Sequence, residues 1–204
     1  MVIGEKFAWG HLPKTAGNAT YGMFRVFPEL IVFADPTNTQ AKHASFGERE
    51  EQVAGKLLVL NIRRLPAWML SWSQHQVRMG FKNGEPRQMF SPYEMAKRRR
   101  GDRTLRQLTN DSRFEVGRWL RQEQLAEDFL EFISAYTEVS AEQRTEVVEL
   151  GRRNAFDYDH EVAHWFTDEH VRMMYENNPL WASVEREVYG DLLDAAALER
   201  IARG

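Results

Sequence analysis

One stretch decides the fold: Phe7-Ala8-Trp9-Gly10-His11-Leu12-Pro13-Lys14-Thr15-Ala16-Gly17-Asn18-Ala19-Thr20. Its apolar start predicts a buried strand, Pro13 and Gly17 interrupt that pattern, and residues 18–24 predict the start of a helix. A loop between a strand and a helix N-terminus can hold an anion, because backbone N–H groups and the helix dipole point into it and Lys14 adds a positive charge. The loop lacks the G-x-x-x-x-G-K-[ST] pattern of an ordinary nucleoside triphosphate site. The alternative is a plain strand–turn–helix corner with a surface lysine.

Composition places the chain among ordinary soluble globular proteins. Its 204 residues are 43% hydrophobic and 28% charged, with a formal net charge of -3, so we expect one domain, 1–204, that does not bind nucleic acid. The absence of cysteine excludes disulfides, thiolate metal sites and cysteine nucleophiles, and fits a reducing compartment. No apolar run is long enough to span a membrane and no signal-peptide pattern precedes the first strand. We therefore expect a cytoplasmic protein without a membrane partner, and the sequence does not indicate its oligomeric state.

Apolar runs alternate with helical patterns along the rest of the chain. Further strands are predicted at 29–34, 56–62 and 114–121, and helices at 66–79 and 122–133. The last third has a helical character, with a helix start at Thr167. Alternating strands and helices predict an α/β fold with a central parallel sheet flanked by helices.

Residues 82–113 interrupt this alternation and form a polar excursion on the acceptor side. The excursion contains the run Lys97-Arg98-Arg99-Arg100, followed by Arg103 and Arg106. A run of like charges is usually a solvated helix face. The alternative is that some of these arginines contact an anionic acceptor.

A second anion site is predicted after the strand at 56–62. Arg63 stands at the carboxyl end of this strand, where open parallel sheets bind ligands, and Ser71 follows eight residues later in the next helix. A guanidinium donates paired, charge-assisted hydrogen bonds to phosphate, and a serine hydroxyl adds another donor. Two anion sites imply a ligand with two separated anionic groups.

These motifs resemble the sulfotransferases that use 3′-phosphoadenylyl sulfate (PAPS), and among them the carbohydrate-type group related to heparan sulfate 2-O-sulfotransferase. His11 to Gly17 resembles the 5′-phosphosulfate loop, Arg63 to Ser71 resembles the 3′-phosphate motif, and 151–155 and 175–181 resemble weaker C-terminal blocks. The resemblance implies a single P-loop-like domain that binds PAPS and releases 3′-phosphoadenosine 5′-phosphate (PAP). The implied donor-binding residues are Pro13, Lys14, Thr15, Ala16, Gly17, Asn18, Ala19, Thr20, Arg63, Ser71, Arg152 and Arg153. Asn18-Ala19 stands where the family usually has Thr-Ser. A hydroxyl that would bind the 5′-phosphate is therefore missing, and Asn18 or Thr20 must supply that hydrogen bond instead.

The resemblance also implies catalytic roles. Lys14 would stabilise the charge that grows on the leaving phosphate, and His43 would be the base that activates a hydroxyl of a carbohydrate or small-molecule acceptor. Imidazole suits this role because its pKa is near neutrality. Glu48, Glu50 and Glu51 are alternative bases, and the alternative for His43 is an ordinary solvated loop side chain. The reaction requires no metal.

Two other functions remain open. His160-Glu161-Val162-Ala163-His164 is an H-E-x-x-H sequence, with His170 where a third zinc ligand of a peptidase would stand. Thr167 replaces the glycine that such a site needs, and the helix start at Thr167 would break the required geometry. The other alternative is a nucleotide-binding module without catalysis, which the Asn18-Ala19 change keeps open.

Overall fold

The computed structural model describes residues 1–151 and 158–193, which form two compact units. The first comprises Met1–Ile62 and the described part of Arg106–Phe156, and the second comprises Arg63–Leu105 and the described part of Asp157–Gly204. No helix within these residues is both long and apolar enough to cross a membrane. The helices are α1 (Gly17–Phe24), α2 (Glu50–Val53), α3 (Leu65–Lys82), α4 (Pro92–Ala96), α5 (Arg100–Leu108), α6 (Leu125–Ile133), α7 (Ala141–Gly151), α8 (Val162–Trp165), α9 (Asp168–Asn177) and α10 (Pro179–Tyr189).

The first unit contains a five-stranded mixed sheet flanked by helices, which confirms the α/β class. Its strands are β1 (Val2–Ile3), β2 (Phe7–Gly10), β3 (Phe33–Ala34), β4 (Leu57–Ile62) and β5 (Arg118–Arg121), in the order β3-β1-β2-β4-β5. β2, β4 and β5 are parallel, whereas β1 is antiparallel to both β2 and β3. The prediction of a parallel sheet is therefore wrong for β1, which lies between β3 and β2. Only three residues separate β1 from β2, and so short a connection allows a hairpin but not a parallel crossover.

The core of the first unit lies between the sheet and helices α1 and α6. Aromatic rings fill it: the Phe7 and Phe24 rings stack with centroids 5.6 Å apart, and Phe129 meets Phe24 edge-on at 5.0 Å. These side chains are almost completely buried. Packed aromatic rings contribute strongly to core stability because each buries a large apolar area. The core thus holds β2 and α1, the two elements on either side of the predicted anion loop.

The second unit is helical. Helices α3, α9 and α10 meet around buried tryptophans, with the Trp68 and Trp181 ring centroids 4.9 Å apart. The predicted helix at 66–79 is α3, which extends slightly beyond both predicted ends. The predicted helix start at Thr167 is confirmed, because the Thr167 hydroxyl accepts a hydrogen bond from the N–H of His170 as the N-cap of α9.

Candidate functional site

The loop between β2 and α1 has the backbone geometry of an anion cradle. Lys14 and Ala16 have positive φ angles of 69° and 63°. Such alternation turns successive N–H groups toward one side of the chain and forms a concave anion-binding nest. Ala16 is the N-cap of α1, makes no side-chain capping bond, and no acidic residue lies in the first turn. The positive end of the α1 dipole is therefore not compensated by a capping side chain.

Asn61 on β4 holds this loop in place. Its side-chain oxygen accepts a hydrogen bond from Trp9 Nε1 at 2.8 Å, and its Nδ2 donates to the Thr15 carbonyl at 2.8 Å and to the Thr20 hydroxyl at 2.6 Å. Asn61 is completely buried. Hydrogen bonds that are fully satisfied in a buried site rigidify the groups they join. The amide thus ties β2, the loop and α1 to one point on β4.

Asn18 and Thr20 are the two side chains that could replace the hydroxyl missing from the 5′-phosphate loop, and they differ in their surroundings. The Thr20 hydroxyl is buried, donates to the Ala16 carbonyl at 3.3 Å and accepts from Asn61. Its single hydrogen is therefore already used inside the fold. Asn18 is exposed in the first turn of α1. Of the two, Asn18 is the side chain that can donate to a ligand without breaking an internal hydrogen bond.

Gly17 is required because His11 packs against the start of α1. A Cβ added at Gly17 would lie 2.0 Å from Nε2 of His11, a distance that no side chain could tolerate. Burial lowers the pKa of His11 to about 2, with smaller contributions from the neighbouring charges of His43 and Lys42. His11 is therefore a neutral, buried packing residue under the loop.

His43 lies beside the first residue of the loop. Its ring centroid is 4.5 Å from that of His11, and its Nδ1 is 3.1 Å from the His11 carbonyl oxygen. A carbonyl only accepts hydrogen bonds, so Nδ1 carries the proton and the lone pair is on Nε2. Burial is the main cause that lowers the pKa of His43, and its hydrogen bond to the His11 carbonyl opposes this shift. His43 is thus held in the neutral tautomer that a general base needs.

Two of the three alternative carboxylate bases are engaged elsewhere. Glu48 Oε2 accepts hydrogen bonds from the Ser45 N–H at 2.7 Å and hydroxyl at 2.9 Å, and these bonds lower the pKa of Glu48. Glu50 pairs with Arg113. Glu51 is exposed at the start of α2.

In the second unit, Arg63 immediately precedes Arg64, the N-cap of α3, and Ser71 lies in the second turn of this helix. Among the described residues the Arg63 Nε atom has no hydrogen-bond partner, although it is buried, and Ser71 is also buried. The Leu65 N–H at the start of α3 is bound by Glu185 Oε2 at 2.8 Å. The other two predicted donor ligands, Arg152 and Arg153, lie outside the described residues.

Glu185 is the centre of a buried network in this unit. Its Oε1 accepts from the Tyr175 hydroxyl at 2.7 Å and from Arg64 at 3.2 Å. Burial raises the pKa of Glu185 to about 7, although the three hydrogen-bond donors partly oppose the shift. Neither Glu185 nor Asn61 is among the site residues that the sequence predicts. A polar residue inside an apolar pattern, as in Leu57–Ile62, is the signal that could have found Asn61.

The H-E-x-x-H sequence does not form a zinc-binding helix. α8 begins at Val162, after His160 and Glu161, and ends at Trp165. The two histidines therefore do not share the face of one helix, as the zinc site requires. His164 Nδ1 lies 3.4 Å from Asp159, and His170 belongs to the capping box of Thr167. Within residues 1–151 and 158–193, no group of three or more His, Asp or Glu side chains is placed to hold a metal ion.

No protein-family model, curated protein or solved structure matched the chain when it was compared with each.

Proposed function

We propose that this protein is a PAPS-dependent sulfotransferase with a P-loop-like domain, which transfers a sulfuryl group to a hydroxyl of a carbohydrate or small-molecule acceptor. The observation that carries the proposal is the β2–α1 loop. In this loop, Lys14 and Ala16 have left-handed backbone conformations, and the N-terminus of α1 that follows has no side-chain cap. An anion cradle requires this combination, and Lys14 adds a positive charge. We assign the 5′-phosphosulfate of the donor to this loop, with Asn18 as the side-chain donor.

In the proposed reaction His43 and Lys14 have separate roles. His43 Nε2 takes the proton from the acceptor hydroxyl as the acceptor oxygen forms a bond to sulfur. The bond between sulfur and the bridging phosphate oxygen breaks, and Lys14 stabilises the negative charge that this oxygen gains. PAP leaves with the electron pair of the broken bond. The Nδ1–H bond to the His11 carbonyl supports this role because it keeps the Nε2 lone pair available.

Arg63 and Ser71 are proposed as ligands of the 3′-phosphate, on the strength of the sequence resemblance. The buried Arg63 Nε, which has no hydrogen-bond partner among the described residues, is consistent with this role, because a bound phosphate oxygen would satisfy it.

Calorimetry with PAP and AMP tests the proposal. We expect PAP to bind about tenfold or more tightly than AMP, because the 3′-phosphate adds charged hydrogen bonds. Arg63→Ala should remove most of this difference and leave AMP affinity unchanged. Equal affinities of the unmodified protein for PAP and AMP would refute the proposal.

An assay of PAP formation from PAPS with a panel of alcohols and sugars then tests catalysis. Acceptor-dependent release of PAP supports the sulfotransferase. PAP binding without transfer to any acceptor in the panel would favour the nucleotide-binding module.

A further inference from the structure

The arginine run of the excursion contains two side chains that differ from a solvated helix face. In the second unit, the Trp72 and Phe90 rings stack with centroids 5.3 Å apart and an interplanar angle of 10°. The Arg98 guanidinium carbon lies 3.8 Å from the Phe90 centroid, and that of Arg100 lies 5.4 Å from the Trp72 centroid. Arg98 and Arg100 are half-buried, whereas Arg99 between them is exposed. We call Trp72, Phe90, Arg98 and Arg100 the arginine–aromatic cluster.

Neither cation of the cluster forms an ion pair with a carboxylate of the described residues. Within the part of the chain that the structure describes, no carboxylate oxygen lies within 4.0 Å of either guanidinium, and both Nε atoms are buried without a hydrogen-bond partner. The nearby acids accept hydrogen bonds from other groups, and Glu94 acts on Arg98 only at longer range: the Ser91 hydrogen bonds are the main cause that lowers the pKa of Glu94, and the Arg98 charge makes a smaller contribution. Asp102 binds the N–H groups of Leu180 and Trp181 at 3.1 and 2.8 Å, and Glu94 forms a capping box with Ser91. Burying cations without a counterion is unfavourable.

The backbone around these arginines is fixed. Asn178 is completely buried, donates from Nδ2 to the Arg98 carbonyl at 2.8 Å and accepts from the Asp102 N–H at 3.1 Å. Gly101 packs so closely that an added Cβ would lie 2.9 Å from the Leu65 side chain and 3.1 Å from Asn178 Oδ1. The two guanidiniums are therefore presented by a preorganised turn, which reduces the entropy cost of binding a ligand.

We infer that the arginine–aromatic cluster is a binding site for a tetrahedral oxyanion, such as the phosphate or sulfate group of an ester. Stacking uses the faces of a guanidinium and leaves its N–H donors, which lie in the guanidinium plane, for an oxyanion. Two positive charges match a dianion, which would supply the contacting counterion that the described residues do not provide. Burial and the neighbouring charges of Arg103 and Arg98 lower the pKa of Arg100, which is consistent with this uncompensated charge. The inference does not depend on the proposed sulfotransferase activity.

Calorimetry of the full chain with inorganic phosphate and inorganic sulfate at low ionic strength tests the site. We expect Arg98→Gln and Arg100→Gln each to weaken binding of the preferred anion about tenfold or more, because each removes charged hydrogen bonds. Arg99→Gln is the matched control, since it removes the same charge from an exposed position between them, and should change affinity less than about twofold because exposed charges are screened. The tighter of the two anions identifies whether the site favours phosphate or sulfate groups.

Thermal unfolding provides a second measurement. It compares the change in Tm that the anion causes within each variant, so a variant with lower stability can still be tested. The preferred anion should raise the Tm of the unmodified protein and of Arg99→Gln by the same amount, and should raise that of Arg98→Gln or Arg100→Gln less, since only the loop between β2 and α1 would then remain to bind an anion. Arg98→Lys keeps the charge but lacks the planar fork, so it should also lose binding. Equal losses in Arg99→Gln and Arg98→Gln, no binding of either anion, or acetate binding as tightly as both would overturn the inference.

Discussion

Replacing Thr20 by valine separates the structural role of this side chain from a role in binding the donor. Valine keeps the shape of threonine but removes the hydroxyl that accepts from Asn61 at 2.6 Å and donates to Ala16 at 3.3 Å. The Ala16 carbonyl would still accept from the N–H groups of Ala19 and Thr20. One Nδ2 hydrogen of Asn61 would be left unsatisfied in a fully buried site. A buried donor without a partner costs about 1–3 kcal/mol, so we expect the free energy of unfolding to fall by about 2 kcal/mol.

The two measurements are urea unfolding and calorimetry with PAP. Thr20→Val should lower the urea midpoint without changing the m value, and should keep PAP affinity within about twofold of the unmodified protein. Asn18→Ala should do the opposite, because Asn18 is exposed and is the proposed donor to the 5′-phosphate. We expect it to leave stability unchanged and to weaken PAP binding about tenfold, the loss of one charged hydrogen bond.

Thr20→Ser is the control, because it keeps the hydroxyl and removes only a methyl group. It should bind PAP normally. A large loss of PAP affinity in Thr20→Val that Thr20→Ser restores, together with normal affinity in Asn18→Ala, would refute the assignment of Asn18 and show that the Thr20 hydroxyl contacts the donor.

Three further predictions concern catalysis and stability. His43→Ala should lower turnover by about 10²–10⁴-fold with little change in PAP affinity. In the unmodified protein, the turnover rate should rise with pH through a midpoint below 6.5, since burial lowers the pKa of His43, and a pH-independent rate would contradict this role. Lys14→Ala should lower turnover and also weaken PAP binding in calorimetry; unchanged turnover would exclude Lys14. The pKa of Glu185, raised from 4.5 to about 7, makes the folded state bind the proton more tightly than the unfolded chain does. Urea unfolding should therefore show that the unfolding free energy of the unmodified protein, minus that of Glu185→Gln, falls by roughly 3 kcal/mol from pH 4.5 to 7. A difference that stays constant with pH would contradict this pKa.

Elements with a continuous buried face could be predicted from the sequence. β4 and α3 occur within three residues of their predicted ends, because their apolar side chains fill the cores of their units. The predicted strand at 29–34 is reduced to Phe33–Ala34, since Pro28–Leu30 forms a 3-10 turn. β1 has only two residues, too few to show any periodicity, and its antiparallel pairing makes the sheet mixed. Pairing partners depend on contacts distant in the sequence, which local patterns do not contain.

In the candidate site, too, local sequence patterns predict some features, whereas features that depend on contacts distant in the sequence are not predicted. The loop could be located because Pro13, Lys14 and Gly17 are unusual residues between a strand and a helix. The sequence does not predict that Asn61 fixes this loop, since that role depends on an oxygen and a nitrogen that reach three partners outside β4. The H-E-x-x-H sequence misleads for a related reason. Five residues match a pattern, but the helix that would align them starts too late.

For the proposed reaction, what each side chain already binds favours His43 over Glu48 and Glu50 as the general base. Proton transfer is most efficient when the pKa of the base lies near the working pH, so a carboxylate must have its pKa raised to act at neutrality. The Ser45 hydrogen bonds lower the pKa of Glu48 instead, and Glu50 pairs with Arg113. The hydrogen bond that His43 makes to the His11 carbonyl uses only Nδ1 and fixes the tautomer with the Nε2 lone pair. Removal of Glu48 by Glu48→Gln should therefore leave turnover nearly unchanged, whereas a loss as large as that of His43→Ala would transfer the role of base to the carboxylate.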